Sequence, residues 1–139
     1  MNVLVINRGS SSVNCAVYAM PSANLAAKGI LDRVGQRPSW QKYRHGEKKE
    51  TQEVEVEDHR QGIHLILDSV LDGNAGMVQG DGAIDAIGHR VVHGGDIESE
   101  AAFIDEQITA AIEESAPMAP LHNPPDLMVI QAVTAAEPS

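Results

Sequence analysis

Cysteine is nearly absent from this 139-residue chain: Cys15 is the only one, which excludes an intrachain disulfide and a cysteine-built zinc cluster. Aromatic side chains are almost as scarce. Tyr18, Trp40, Tyr43 and Phe103 are the whole set, so a core has to be built from Val, Ile, Leu, Ala and Met. Positive charge is short as well. Ten Lys and Arg against 20 Asp and Glu leave a formal net charge of −10, which argues against nucleic acid or an anionic membrane surface as a partner held by a general positive field. A phosphate ligand would then need a local site, with a metal cation to offset the repulsion. No apolar run approaches the roughly 20 residues of a membrane helix. The N-terminal apolar run is too short for a signal peptide and lacks its basic flank, so a cytoplasmic location is expected.

What is present suffices for one domain, since 42% of the residues are hydrophobic and the length allows a sizeable core. Residues 2–7 and 12–19 read as two strands joined by a Gly-Ser turn. Leu25–Ile30 reads as a third strand and Trp40–Tyr43 as a short fourth. From Thr51 to Glu57, Val54 and Val56 alternate with Glu53, Glu55 and Glu57. That pattern predicts a half-exposed strand whose acidic face is solvated surface rather than a cation cage. Asp58 caps a predicted helix with Ile63, Ile66, Leu67, Val70 and Leu71 at helical spacing, ended by Gly73. Residues 72–83 read as loop and Ile84–Val92 as a buried strand running into a Gly94–Gly95 turn. A helix is predicted from about Asp105, with Ile108, Ala111 and Ile112 on one face. An extended connector follows over Pro117–Asn123. Asn123 then reads as the cap of a last helix, with Pro124 at its first position and Asp126 in its first turn. Strands first, then helix and strand in alternation, predict an α/β domain with a mixed sheet.

Three clusters carry chemistry. The first is Asn7–Arg8–Gly9–Ser10–Ser11–Ser12, where glycine admits a close backbone approach and turn amides and hydroxyls can donate to phosphate oxygens. It is not a P-loop, because GxxxxGK[ST] is missing, and an ordinary hairpin loop is the other reading. The second is Gly88–His89–Arg90–Val91–Val92–His93–Gly94–Gly95. On a strand, Arg90 and Val92 share a face, giving a guanidinium beside an apolar wall, which suits a short-chain carboxylate. The alternative is an arginine paired with a structural Asp or Glu. His89 and His93 do not make a zincin pair, since Arg90 stands where HExxH needs glutamate and the two would lie ~13 Å apart on a strand. The third is Pro117–Met118–Ala119–Pro120–Leu121–His122–Asn123–Pro124. His122 falls before a helix N-terminus, where free amides favour anions, and is either a donor to a phosphoryl oxygen or a plain loop residue.

NRGSSS, GHRVVHGG and PMAPLHNP in this order, together with IDEQITAAIEESAPMAPLHNP, make the chain resemble the acetate kinase (acetate/propionate kinase) family from Val3 to about Ile130. The resemblance implies a ribonuclease-H-like α/β domain of the actin-like ATPase superfamily with a mixed sheet. It implies reversible phosphoryl transfer from ATP to acetate, with Mg²⁺, giving ADP and acetyl phosphate. By the same resemblance, Asn7, Ser10 and Ser12 are phosphate contacts, and Asn7 belongs to the magnesium shell. Arg90 binds the carboxyl or acyl-phosphate end, Val92 and Leu121 line the methyl pocket, and His122 stabilises the transferring phosphoryl. Arg90 and His122 are the catalytic pair. Asn14 stands where the family usually has a basic residue, with Arg8 in the same turn as the possible substitute. Residues 1–139 correspond to the family's N-terminal domain, incomplete at its end. The nucleotide-binding second domain falls outside them, so the isolated chain is expected to be inactive. An inactive domain with weak anion binding and a propionate or butyrate kinase are the alternatives. The family's homodimer is not carried over.

Overall fold

The computed structural model describes residues 1–71, 84–97 and 100–136. The predicted loop over residues 72–83, with Gly73 as a helix stop, lies outside the described residues. β1 (Asn2–Arg8), β2 (Ser12–Ala19), β3 (Asn24–Asp32), β4 (Ser39–His45) and β5 (Lys48–Val54) form an antiparallel meander. β6 (Ala86–His89) then adds to the far side of β1 in parallel, giving the sheet order β5-β4-β3-β2-β1-β6. The sheet is mixed, as the pattern predicts. α1 (His59–Leu71), α2 (Glu106–Glu114) and α3 (Asn123–Ala136) complete the elements, with a short 3₁₀ turn at Ala116–Met118.

Alternation along the strands sorts their faces. Leu4 and Ile6 of β1, Val13, Cys15 and Val17 of β2, and Ala27 and Leu31 of β3 are buried on one face. They form a single core with Ile63, Ile66, Leu67 and Val70 of α1 and Val129 and Ala132 of α3. That is the apolar stripe predicted for α1, and Asp58 caps it: its Oδ1 accepts from the Gln61 amide at 2.9 Å. Burial pushes the Cys15 thiol up to about 11, so it behaves as a small core residue. On the opposite face Lys28, Arg44 and Lys49 stand directly across from one another on β3, β4 and β5.

Four expectations are corrected. The strand predicted over Ile84–Val92 pairs only from Ala86 to His89: the chain leaves the ladder two residues before β1 itself ends at Arg8, and Asn123 holds His93 toward α3 instead. Ala86 is itself exposed, so this edge strand is not a buried one. The strand predicted over Thr51–Glu57 is displaced to Lys48–Val54, where a tight turn at Gly46 sets its register against β4. The extended connector over Pro117–Asn123 begins as a 3₁₀ turn, whose Met118 amide donates to the Ser115 carbonyl at 3.0 Å.

The fourth concerns Asn123, which does not cap α3 from outside. The helix begins with it, and the first helical bond runs from the Asp126 amide to the His122 carbonyl at 2.9 Å. α2 starts where predicted, and Asp105 caps it: its Oδ1 accepts from the Ile108 amide at 2.8 Å.

Candidate active site

The parallel pair β1/β6 sets the site. Ile6 pairs with His89, so Asn7 and Arg8 on one strand and Arg90 on the other leave the sheet side by side at its carboxyl edge. Ligands bind at this edge in α/β sheets because the chain reversals there leave a crevice. The turn from Asn7 to Ser12 is tight: the Gly9 amide donates to the Ser12 carbonyl at 2.8 Å. A Cβ on Gly9 would stand 2.5 Å from Ser12 Oγ, so glycine is needed there for a close approach. The Gly9 amide is thereby committed within the turn. The Gly9 carbonyl accepts from Arg8 Nη1 at 3.1 Å and lies 3.0 Å from His59 Nε2. Asn7 and Ser10 are exposed and Ser12 half-buried.

Arg8 belongs to the opposite side of the sheet from Asn7 and Asn14. It follows Leu4 and Ile6 on the helix-covered face and pairs in register with Val13, whereas Asn7 pairs with Asn14. Its Nε lies 3.5 Å from Asp126 Oδ1, and the two side chains are only 8% and 6% exposed. Arg8 therefore does not stand in for a base at Asn14.

The segment after β6 departs from the strand geometry expected of it. Arg90 and Val92 follow the strand's end, and both are exposed, Val92 at 41%. No ion pair to Arg90 occurs among the described residues. Two residues on, His93 is gripped by Asn123. Asn123 Oδ1 accepts from the His93 amide at 3.2 Å, and its Nδ2 donates to the carbonyls of His93 at 2.7 Å and Ile112 at 3.0 Å. Asn123 is fully buried, and this clamp fixes the loop after β6 to the start of α3 and the end of α2. Gly95 turns away beneath it at φ 70°, and a Cβ there would meet Ser115 Oγ at 2.9 Å.

His122 and Leu121 are exposed beside the clamp, Leu121 at 80%. The free helix-terminal amides expected next to His122 are not there. Pro124 and Pro125 have none, and the amides of Asn123 and Asp126 are bonded to the Ala119 and His122 carbonyls. Among the described residues no group of three or more His, Cys, Asp or Glu is placed to hold a metal.

Three side chains whose observed roles the motifs did not give stand under the site. Arg8 and Asp126 join the turn to α3. His89 sits between the site segments with both ring nitrogens buried and without a hydrogen-bond partner. Burial holds its pKa below the ordinary histidine value, against the opposing pull of the Asp126 carboxylate. The Asn7–Ser12 turn, an exposed arginine and an exposed histidine lie at the carboxyl edge of a mixed sheet, which makes this an α/β domain with its candidate ligand site at that edge.

The comparisons with known proteins agree with that class. The sequence model described as the Acetokinase family matches residues 2–139. The chain belongs to this family. The acetate kinase of Thermotoga maritima is 44% identical over 132 residues, which cover 95% of this chain and 33% of that protein. The acetate kinase of Agathobacter rectalis is 39% identical over 139 residues, 100% of this chain and 35% of that protein. The chain thus spans about a third of the length of the curated relatives it matches. Among solved structures, the Porphyromonas gingivalis acetate kinase superposes with a TM-score of 0.83 at 35% identity, over 96% of this chain and 34% of that one. A Francisella tularensis propionate kinase superposes with a TM-score of 0.84 at 26% identity, over 99% of this chain and 34% of that one. The fold is the ribonuclease-H-like α/β fold of the actin-like ATPase superfamily.

Proposed function

We propose that residues 1–139 form the acyl-substrate wall of an acetate kinase site, which transfers the γ-phosphoryl group of ATP reversibly to acetate and yields acetyl phosphate and ADP. The observation that carries this reading is the fastening of all three sequence clusters at one sheet edge. Asn123 ties the GHRVVHGG segment to the PLHNP segment, and Asp126 ties the latter to the NRGSSS turn through Arg8. In the transfer, the phosphorus–oxygen bond to ADP breaks as one forms to an acetate oxygen, and the protein's task is to position and to neutralise charge. Arg90 pairs with the acetate carboxylate or the acyl-phosphate end. Exposed, and with no ion pair among the described residues, its guanidinium is available for bidentate contact. Val92 and Leu121 flank the methyl group. His122 donates to a phosphoryl oxygen as charge develops, and Asn7, Ser10 and Ser12 donate to the phosphates.

These residues offer a cation neutral oxygens only, and that fits Mg²⁺ arriving hydrated on the nucleotide phosphates rather than a bare ion in a protein cage. Asn7 would contact its water shell, and when bound the ion supplies charge neutralisation between the phosphates. The adenosine end of ATP is assigned to the part of the family's length that this chain does not span, so the 139 residues by themselves bind acyl phosphate without completing the transfer. Acetate is the acceptor proposed because the curated relatives from Thermotoga maritima and Agathobacter rectalis are named acetate kinase, at 44% and 39% identity.

The test is a titration of the isotope-labelled chain with acetyl phosphate, followed by NMR. Signals of Asn7–Ser12, Arg90 and His122 should move together, and Arg90→Ala should weaken binding by about ten-fold or more, the worth of a charge-assisted pair. A titration that leaves Arg90 and His122 unmoved would remove them from the site. Acyl-phosphate formation by the 139 residues alone, trapped as the hydroxamate with ATP, Mg²⁺ and acetate, would overturn the assignment of a single wall.

A further inference from the structure

Arg8 and Asp126 pose a question that the phosphate chemistry leaves open. Arg8 extends the apolar row Leu4–Ile6 onto the covered face of β1, and Asp126 sits in the first turn of α3. Both are more than nine-tenths buried. A buried ion pair of this kind is a poor source of stability, since desolvating both charges consumes most of what their attraction returns. The geometry is loose for such a pair: a single contact at 3.5 Å, with Arg8 Nε making no hydrogen bond. Nor does the guanidinium serve the phosphates, because Asp126 neutralises it and the sheet separates it from Asn7 and Asn14.

What the pair touches is more informative. Arg8 Nη1 donates to the Gly9 carbonyl, and the Asp126 amide donates to the His122 carbonyl. From these contacts we infer that Arg8 and Asp126 are positioning residues that hold the Asn7–Ser12 turn in register with His122, setting the spacing between the phosphate contacts and the phosphoryl donor. The inference rests on the proposed acyl-phosphate site.

The test is a double-mutant cycle of Arg8→Met and Asp126→Asn in the 139-residue chain, read by acetyl phosphate affinity, by the His122 ring signals and by urea denaturation. Each single variant should weaken acetyl phosphate binding about ten-fold, and the double variant should be no weaker than either, as for two groups acting as one device. Arg8→Met should also shift the His122 ring signals, whereas Arg8→Lys, which keeps the charge, should restore part of the affinity. A multiplicative loss in the double variant overturns the proposal, and so do unmoved His122 signals. Should the unmodified chain bind no acetyl phosphate, the functional reading fails, while the His122 signals still decide whether the pair sets the spacing. If Arg8→Met does not fold, the same decision falls to Arg8→Lys and Asp126→Asn.

Discussion

Replacing Asn123 by alanine should destabilise the domain by about 2–4 kcal/mol, and the figure follows from what its amide holds. Three hydrogen bonds are lost: His93 amide to Oδ1, and Nδ2 to the His93 and Ile112 carbonyls. A buried group left without its partner costs about 1–3 kcal/mol. The bond to Ile112 is buried at both ends and bears that cost in full. The two groups of His93 are half-buried, so water recovers part of theirs. Alanine at the start of a helix returns only a few tenths of a kcal/mol. Against a domain stability of about 5–15 kcal/mol, the loss is large enough to read directly from urea unfolding followed by circular dichroism, with the slope unchanged. Asn123→Asp is the sharper variant. It keeps the acceptor for the His93 amide but turns both donations into oxygen facing oxygen, so it should cost at least as much as alanine. Amide exchange at His93 and Gly95 should quicken in both variants before the rest of the sheet responds. A loss under about 0.5 kcal/mol, the scatter of ordinary surface changes, would refute the clamp.

Gly9→Ala should push the Ser12 hydroxyl out of place, because the added Cβ would lie 2.5 Å from it; acetyl phosphate binding should weaken several-fold, with unchanged affinity as the contrary result. His89 has a folded-state pKa below its ordinary value because it is buried. Above about pH 6.5 it is neutral folded or unfolded, and as the pH falls the unfolded chain takes the proton first. Stability is therefore lost from there down to the folded pKa, and His89→Gln should flatten that part of the urea-midpoint profile relative to the unmodified chain. Arg44 stands between Lys28 and Lys49 in one cross-strand row. Arg44→Thr should raise stability by about 0.2–1 kcal/mol at low salt, a gain that shrinks as added salt screens the row, and a salt-independent effect would point to some cause other than charge.

The first four strands, α1 and α2 were legible because their signals are local. Alternation in Ser12–Ala19, the Asp58 cap, and the helical spacing of Ile63, Ile66, Leu67 and Val70 each depend on residues within one or two turns of each other. The site was half legible. The turn at Gly9, the exposed Arg90 and the exposed His122 lie in the segments the motifs marked, but the roles of their neighbours did not follow. The strand through Arg90 read as continuous because Val91 and Val92 keep the apolar run going, yet pairing with β1 stops at His89 and the Asn123 clamp draws the following segment toward α3. Asn123 before a proline carries the signature of a cap, and its burial against His93 and Ile112 overrides that signature.

The sequence by itself determined the family, the order of elements and the types of side chain brought to phosphate chemistry, since these depend on local pattern and on short motifs. Only the tertiary structure decided which side of the sheet each residue serves. Arg8 and Asn7 are adjacent in the chain, and the two-residue period of a strand sends one toward the helices and the other toward the opposite face. Asp126 meets Arg8 because β6 lies parallel to β1 and α3 packs over their ends. That contact joins the two ends of the described chain, and no local pattern in either segment encodes it.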